Sequence, residues 1–148
     1  MLYLCGYRDK ERFDLSDKTC IALQLANFWQ DVTRDLEKNR IYIPLDDMER
    51  FGVKEEWIWE RKFTPEFGNL MRFEVERTHA LFREGLQLCD TVNKRVRLDV
   101  EMFSRGGLEV LRRIEAQGYD VLTKRPSIPK SRQVAMLFGR LVAGWTTR

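Results

Sequence analysis

The sequence has little of what breaks or staples a chain. Four prolines and nine glycines in 148 residues are too few for collagen, low complexity or a disordered linker. The three cysteines, Cys5, Cys20 and Cys89, are odd in number and too scattered for a zinc site. They fit a reducing compartment, which predicts a cytoplasmic protein, and read as small core fillers. The single histidine, His79, has no second His or nucleophile near it in sequence and is expected at a surface or boundary position. Ser104 lacks the Gly-x-Ser-x-Gly turn and a triad partner. No apolar run approaches the ~20 residues that span a bilayer, and no charged-then-apolar leader opens the sequence. Strand alternation is almost absent, and no internal repeat is visible.

One further scarcity is local. After Asp120 there is no acid, only Lys124, Arg125, Lys130, Arg132, Arg140 and Arg148. The net charge of +3, too small to imply nucleic acid, therefore combines a slightly acidic body with a basic tail. Two readings of the tail stand open: a solvated basic face, or a surface for anionic lipid through residues 121–148.

What is present is one domain's worth of chain, 43% hydrophobic and 33% charged, long enough to bury a core. Helical spacing predicts a first helix over Asp17–Lys38 with Ser16 as N-cap. Asn39 and Arg40-Ile41-Tyr42-Ile43-Pro44 then leave the helix, because Pro44 pushes Ile43 to extended geometry. Short turns are expected at Asp46–Phe51 and Lys54–Arg61, with Asp46, Asp47 and Glu49 as a solvated first turn. Trp57 and Trp59, two apart, cannot share a helix face. Thr64-Pro65-Glu66 opens a helix that could reach Asp90: a cap, then proline, then an acid. Another spans Arg95–Gln117 and stops at Gly118, with Gly106-Gly107 marking a kink or a close approach. A last helix is expected over Lys130–Trp145. The fold class is all-α, an antiparallel helix bundle in a single domain, residues 1–148.

The first helix carries the chemistry. At about 100° per residue, Gln24, Asn27, Asp31 and Asp35 fall within about 80° of arc. An apolar stripe of Ile21, Leu25, Phe28, Val32 and Leu36 lies beside them, which places the carboxylates at the edge of the core or pointing into it. Like charges four apart repel, and a buried unpaired carboxylate costs several kcal/mol. A hard divalent cation would remove both penalties, as would a solvated face with Arg34 and Lys38 nearby.

The run Gln24-Leu25-Ala26-Asn27-Phe28-Trp29-Gln30-Asp31-Val32, then Asp35, then Arg40-Ile41-Tyr42-Ile43-Pro44, resembles the second aspartate-rich motif of the squalene/phytoene synthase family. Gly118-Tyr119-Asp120-Val121-Leu122 and Arg125-Pro126 resemble that family's later loop. The resemblance implies a helix bundle of the isoprenoid synthase type and Mg²⁺-dependent chemistry on a prenyl diphosphate, farnesyl or presqualene diphosphate. By that resemblance Asp31 and Asp35 are the catalytic, metal-holding pair, with Asn27 as a further ligand. Gln24, Phe28, Arg40 and Tyr42 then line the substrate site. Gln30 stands where much of the family has Arg, and Phe103-Ser104-Arg105-Gly106-Gly107 is similar to the bacterial hydroxysqualene synthase branch of hopanoid synthesis.

An earlier aspartate-rich motif, which the family pairs with this one, is missing. The chain is thus expected to be the C-terminal half of a domain about twice as long, inactive alone and completed by an N-terminal half or another protomer. The alternatives are a phytoene synthase-like subtype and a helical interaction module without catalysis. Peripheral contact with the inner membrane face is compatible with lipid products.

Overall fold

The computed structural model describes residues 2–127, all helix, turn and loop. Among the described residues five α-helices follow one another: α1 Lys10–Leu36, α2 Leu45–Arg50, α3 Glu55–Trp59, α4 Pro65–Gly85 and α5 Lys94–Ala116. Short 3₁₀ turns cover Leu2–Cys5 and Leu86–Asp90. The expected last helix lies outside the described residues.

The start of α1 differs from expectation. Asp9, not Ser16, is the N-cap, and its carboxylate accepts from the Arg12 backbone N–H at 3.1 Å. Ser16 lies well inside the helix. The acids and bases of residues 9–17 mask the periodicity that continues through Phe13 and Leu15, which pack on the smaller of two apolar clusters. At α4, Thr64 caps as expected, its hydroxyl accepting from the Phe67 N–H. That helix ends at Gly85 and tightens into the 3₁₀ turn rather than running on to Asp90. Asn93 caps α5. Gly118, with φ +68°, follows its last turn.

Three long helices make the body. Thr19 meets Gly85 and Trp29 meets Thr78, so α4 runs antiparallel to α1. Phe82 meets Gly107 and His79 meets Glu115, so α4 is antiparallel to α5 as well. Leu23 approaches Gly107 and Gln30 meets Pro126 of the loop after α5, so α1 and α5 run parallel, and α1 packs on both α4 and α5, which touch each other less. His79 is the half-buried boundary residue expected. Gly106-Gly107 leaves α5 unbroken. At Gly107 the other expected alternative holds, because a Cβ there would stand 2.3 Å from Phe82 Cζ.

The main core joins Trp29, Phe67, Leu70, Phe82, Leu111 and Ile114 to Met48 and Ile58 of the short helices and to Val121 and Leu122 of the loop after α5. Cys89 is buried, but Cys5 and Cys20 are exposed and fill no core. Trp57 is half-buried between Lys54 and Lys62. Trp59 is exposed and donates to Glu55. No helix among the described residues is long and apolar enough to cross a membrane.

Candidate functional site

The buried face of α1 consists of Thr19, Ala22, Ala26, Trp29, Val32, Thr33 and Leu36. Its centre is small, so α4 and α5 come close, and Trp29 fills the space left. That face lies about 180° around the helix from Gln24, Asn27, Asp31 and Asp35. The polar stripe therefore does not enter the core of these residues: of the two expected placements, at the edge of the core or pointing into it, the second is corrected, and Asp31 and Asp35 lie half-buried at the edge. Bulk misled the periodicity: Ile21 is exposed and Leu25 and Phe28 only half-buried, while alanines take the core positions.

Gln24 and Asn27 are exposed, and Asp31 and Asp35 are half-buried. Beyond Leu36 the chain turns through Asn39 at φ +55°. The Asp35 carbonyl accepts from the N–H groups of Lys38 and Arg40, both at 2.9 Å. This reversal lays Arg40–Ile43 back along α1. Tyr42 then stacks on Phe28, ring centroids 4.3 Å apart and planes within 8°. Phe28, Asp35, Arg40, Ile41, Tyr42 and Ile58 line one hollow, floored by Trp29, Val32 and Ile43. Four of the residues singled out from the sequence thus share a wall. Gln24 and Asn27 lie on earlier turns of α1, outside that hollow.

Asp31 has a partner from far along the chain. Arg125 Nε donates to its Oδ1 at 2.6 Å, and Arg34 stands at 3.9 Å. Local contacts carry Arg125 there. Asp120 Oδ1 accepts from the Leu122 and Thr123 N–H groups. Gln117 Nε2 donates to the carbonyls of Asp120 and Lys124. Buried Val121 and Leu122 anchor the loop, and Gln30 Nε2 donates to the Pro126 carbonyl at 3.1 Å. The sequence marked Arg125 as one base of a basic tail and, with Pro126, as part of the loop carried by the resemblance, but not as a partner of Asp31. Its contact with Asp31 spans 94 positions, which no local pattern reports.

The donor set fits a hard cation. Asn27, Asp31 and Asp35 offer oxygen on successive turns, with no nitrogen or sulfur ligand among them. Among the described residues no three His, Cys, Asp or Glu side chains gather as a metal cage. A site of two carboxylates is what Mg²⁺ uses when a phosphate and waters complete its shell.

Comparison with known proteins bears on the family and the fold. The Squalene/phytoene synthase family model matches residues 1–132. A 15-cis-phytoene synthase of Synechocystis sp. is 32% identical over 120 residues, covering 79% of this chain and 35% of that protein. Phytoene synthase 3 of Zea mays is 31% identical over 117 residues, covering 79% and 28%. The crystal structure of squalene synthase HpnC from Alicyclobacillus acidocaldarius superposes with a TM-score of 0.78 at 42% identity, over 80% of this chain and 45% of that one. A dehydrosqualene synthase in complex with ligand, 22% identical with a TM-score of 0.72 over 88% of this chain and 46% of that one, shares the fold. The chain spans about a third of the curated relatives' length and under half of either solved structure. The helix bundle is of the isoprenoid synthase type, and the chain belongs to the squalene/phytoene synthase family.

Proposed function

We propose that the chain forms part of a Mg²⁺-dependent enzyme acting on farnesyl or presqualene diphosphate, in the branch that makes hydroxysqualene and squalene for hopanoids. The observation that carries this reading is the stripe on α1 together with what reaches it: Arg40 beside Asp35 in one hollow, and Arg125 on Asp31. Asn27, Asp31 and Asp35 would hold the ion. Bound there, Mg²⁺ would neutralise the diphosphate leaving group and ease cleavage of the allylic C–O bond. Arg40 donates to diphosphate oxygens, and Gln24 contributes an amide on the same face. Arg125 balances the charge of Asp31 and holds the loop after α5 against α1. The stacked rings of Phe28 and Tyr42 form an aromatic wall that excludes water and suits a cationic carbon.

The outward direction of the stripe belongs to the same proposal. Its facing wall would come from the N-terminal half or from another protomer. The 148 residues alone are then expected to bind diphosphate but not to turn over prenyl substrates. The 42% identity to HpnC supports the squalene branch, and the 32% identity to the Synechocystis phytoene synthase fits a phytoene synthase-like subtype equally. Identification of the hydrocarbon made by the complete enzyme separates the two.

Calorimetric titration of inorganic diphosphate into the 148-residue chain tests the site. Binding is expected with Mg²⁺ and not without it, and is expected to vanish in Asp31→Asn and Asp35→Asn. Binding that ignores both Mg²⁺ and these substitutions would refute the metal role. No binding under any condition would favour the helical interaction module.

A further inference from the structure

The proposed chemistry leaves Glu74 of α4 unused. Its side chain is fully buried. Oε2 accepts from Arg77 at 2.6 Å, and Oε1 accepts from no donor among the described residues. Arg77 also donates to Asp47 of α2 at 3.1 Å. Asp47, expected from the sequence on a solvated turn, has only 15% of its side chain exposed, and its carboxylate stands close enough to raise the Glu74 pKa. Two acids thus share one guanidinium. Were both ionised, one negative charge would stand unpaired away from water.

A proton on Glu74 Oε1, donated to the Asp47 carboxylate, resolves the excess charge and the orphaned oxygen together. Burial pushes the Glu74 carboxyl up to about 7; Arg77 pulls it down and Asp47 raises it further. The other charges on this edge are Arg50 of α2, over the Phe73 ring at 4.7 Å, and, further along α4, His79 paired with Glu115 of α5. From α1 the neighbour is neutral: the Trp29 indole, bonded to Thr78, whose hydroxyl donates to the Glu74 carbonyl.

This cluster fastens α2 to α4, and α2 begins immediately after Pro44. The Met48 N–H donates to the Pro44 carbonyl at 3.0 Å, and Ile43 and Met48 are both buried. Tyr42 stands two residues before Pro44, so its place against Phe28 depends on where α2 is seated. We propose that Glu74 and Asp47 are positioning residues, and that a proton shared between their carboxyls seats α2 and so sets Tyr42 against Phe28 in the hollow. The inference deepens the reading of that site. Its test follows proton and ring positions rather than ligand binding, so either can fail without the other.

The test is an NMR titration of the 148-residue chain, ¹³C-labelled in Glu, Phe and Tyr, from about pH 5 to about pH 9. The Glu74 carboxyl carbon is expected to titrate near neutrality, and the Tyr42 and Phe28 ring resonances to move with the same midpoint. Glu74→Gln keeps a donor toward Asp47 without titrating, and is expected to hold both rings at their low-pH positions throughout. Asp47→Asn is expected to lower the Glu74 midpoint. A Glu74 midpoint in the ordinary carboxylate range would overturn the proposal. So would ring resonances that stay still while Glu74 titrates. If Glu74→Gln does not fold, the wild-type titration decides alone.

Discussion

Gly106 and Gly107 are neighbours in sequence with opposite duties. A Cβ at 106 meets nothing within 4 Å, whereas one at 107 runs into Phe82 at 2.3 Å and Leu23 at 3.2 Å. Gly106→Ala is expected to stabilise the chain by up to about 1 kcal/mol, because alanine is the better helix former. Gly107→Ala is expected to cost about 1–3 kcal/mol through overpacking of the buried Phe82 ring. Gly85→Ala is of the second kind, with Thr19 Oγ1 2.2 Å and the Thr19 backbone N 2.9 Å from the new methyl. Urea unfolding of the three variants checks the ordering. Glu74 yields a prediction about pH. Its carboxyl titrates at an ordinary 4.5 when unfolded and at about 7 when folded. Below pH 4.5 it is protonated in both states and costs nothing. Between 4.5 and 7 the unfolded chain releases a proton that the fold retains, so stability falls as pH rises, and above 7 the loss is complete. The shift amounts to on the order of 3 kcal/mol. Denaturation midpoints across that window should show the slope in the wild type and lose most of it in Glu74→Gln. Neither glycine's duty nor the Glu74 proton can be read locally, since each depends on a side chain from another helix.

At the scale of elements, α1 shows what patterns report and what they miss. Thr64-Pro65-Glu66, Asn39 to Pro44 and Gly118 were legible as ends because a cap or a proline acts within one turn. Ser16 was a misleading cap. Serine tolerates a helix interior, and the charged residues 9–17 hid the helix already running there. Asp9→Ala should therefore lower the melting temperature more than Ser16→Ala, which removes no cap hydrogen bond. Equal shifts would place the start of α1 elsewhere. The spacing of Gln24, Asn27, Asp31 and Asp35 was legible as one face. Which way that face points was not, because Ala22 and Ala26 bury themselves by close helix contact, a property that hydrophobic bulk does not encode.

For the whole molecule, the basic tail bears on where the protein works. Lys130, Arg132, Arg140 and Arg148 lie beyond the described residues, whereas Val121, Leu122 and Arg125 are built into the fold. Truncation after Asp120 would therefore damage the core as well as remove charge. Changing those four outer residues to Gln is the cleaner experiment. Flotation with vesicles rich in anionic lipid is expected for the wild type and reduced for the variant, the difference shrinking at high salt. Equal flotation would reject a lipid-facing tail.

The sequence alone determined the all-α class, most helix ends and the family-specific spacing from Gln24 to Pro44. All of these are set by neighbours within a few residues, through capping, proline geometry and the helical repeat. Only the tertiary structure decided that the aspartate face turns outward, that Arg125 comes back to Asp31, and that Glu74 meets Asp47 across two helices. Those depend on pairs 27 to 94 positions apart, and such pairs meet only once the core has chosen which surfaces to bury.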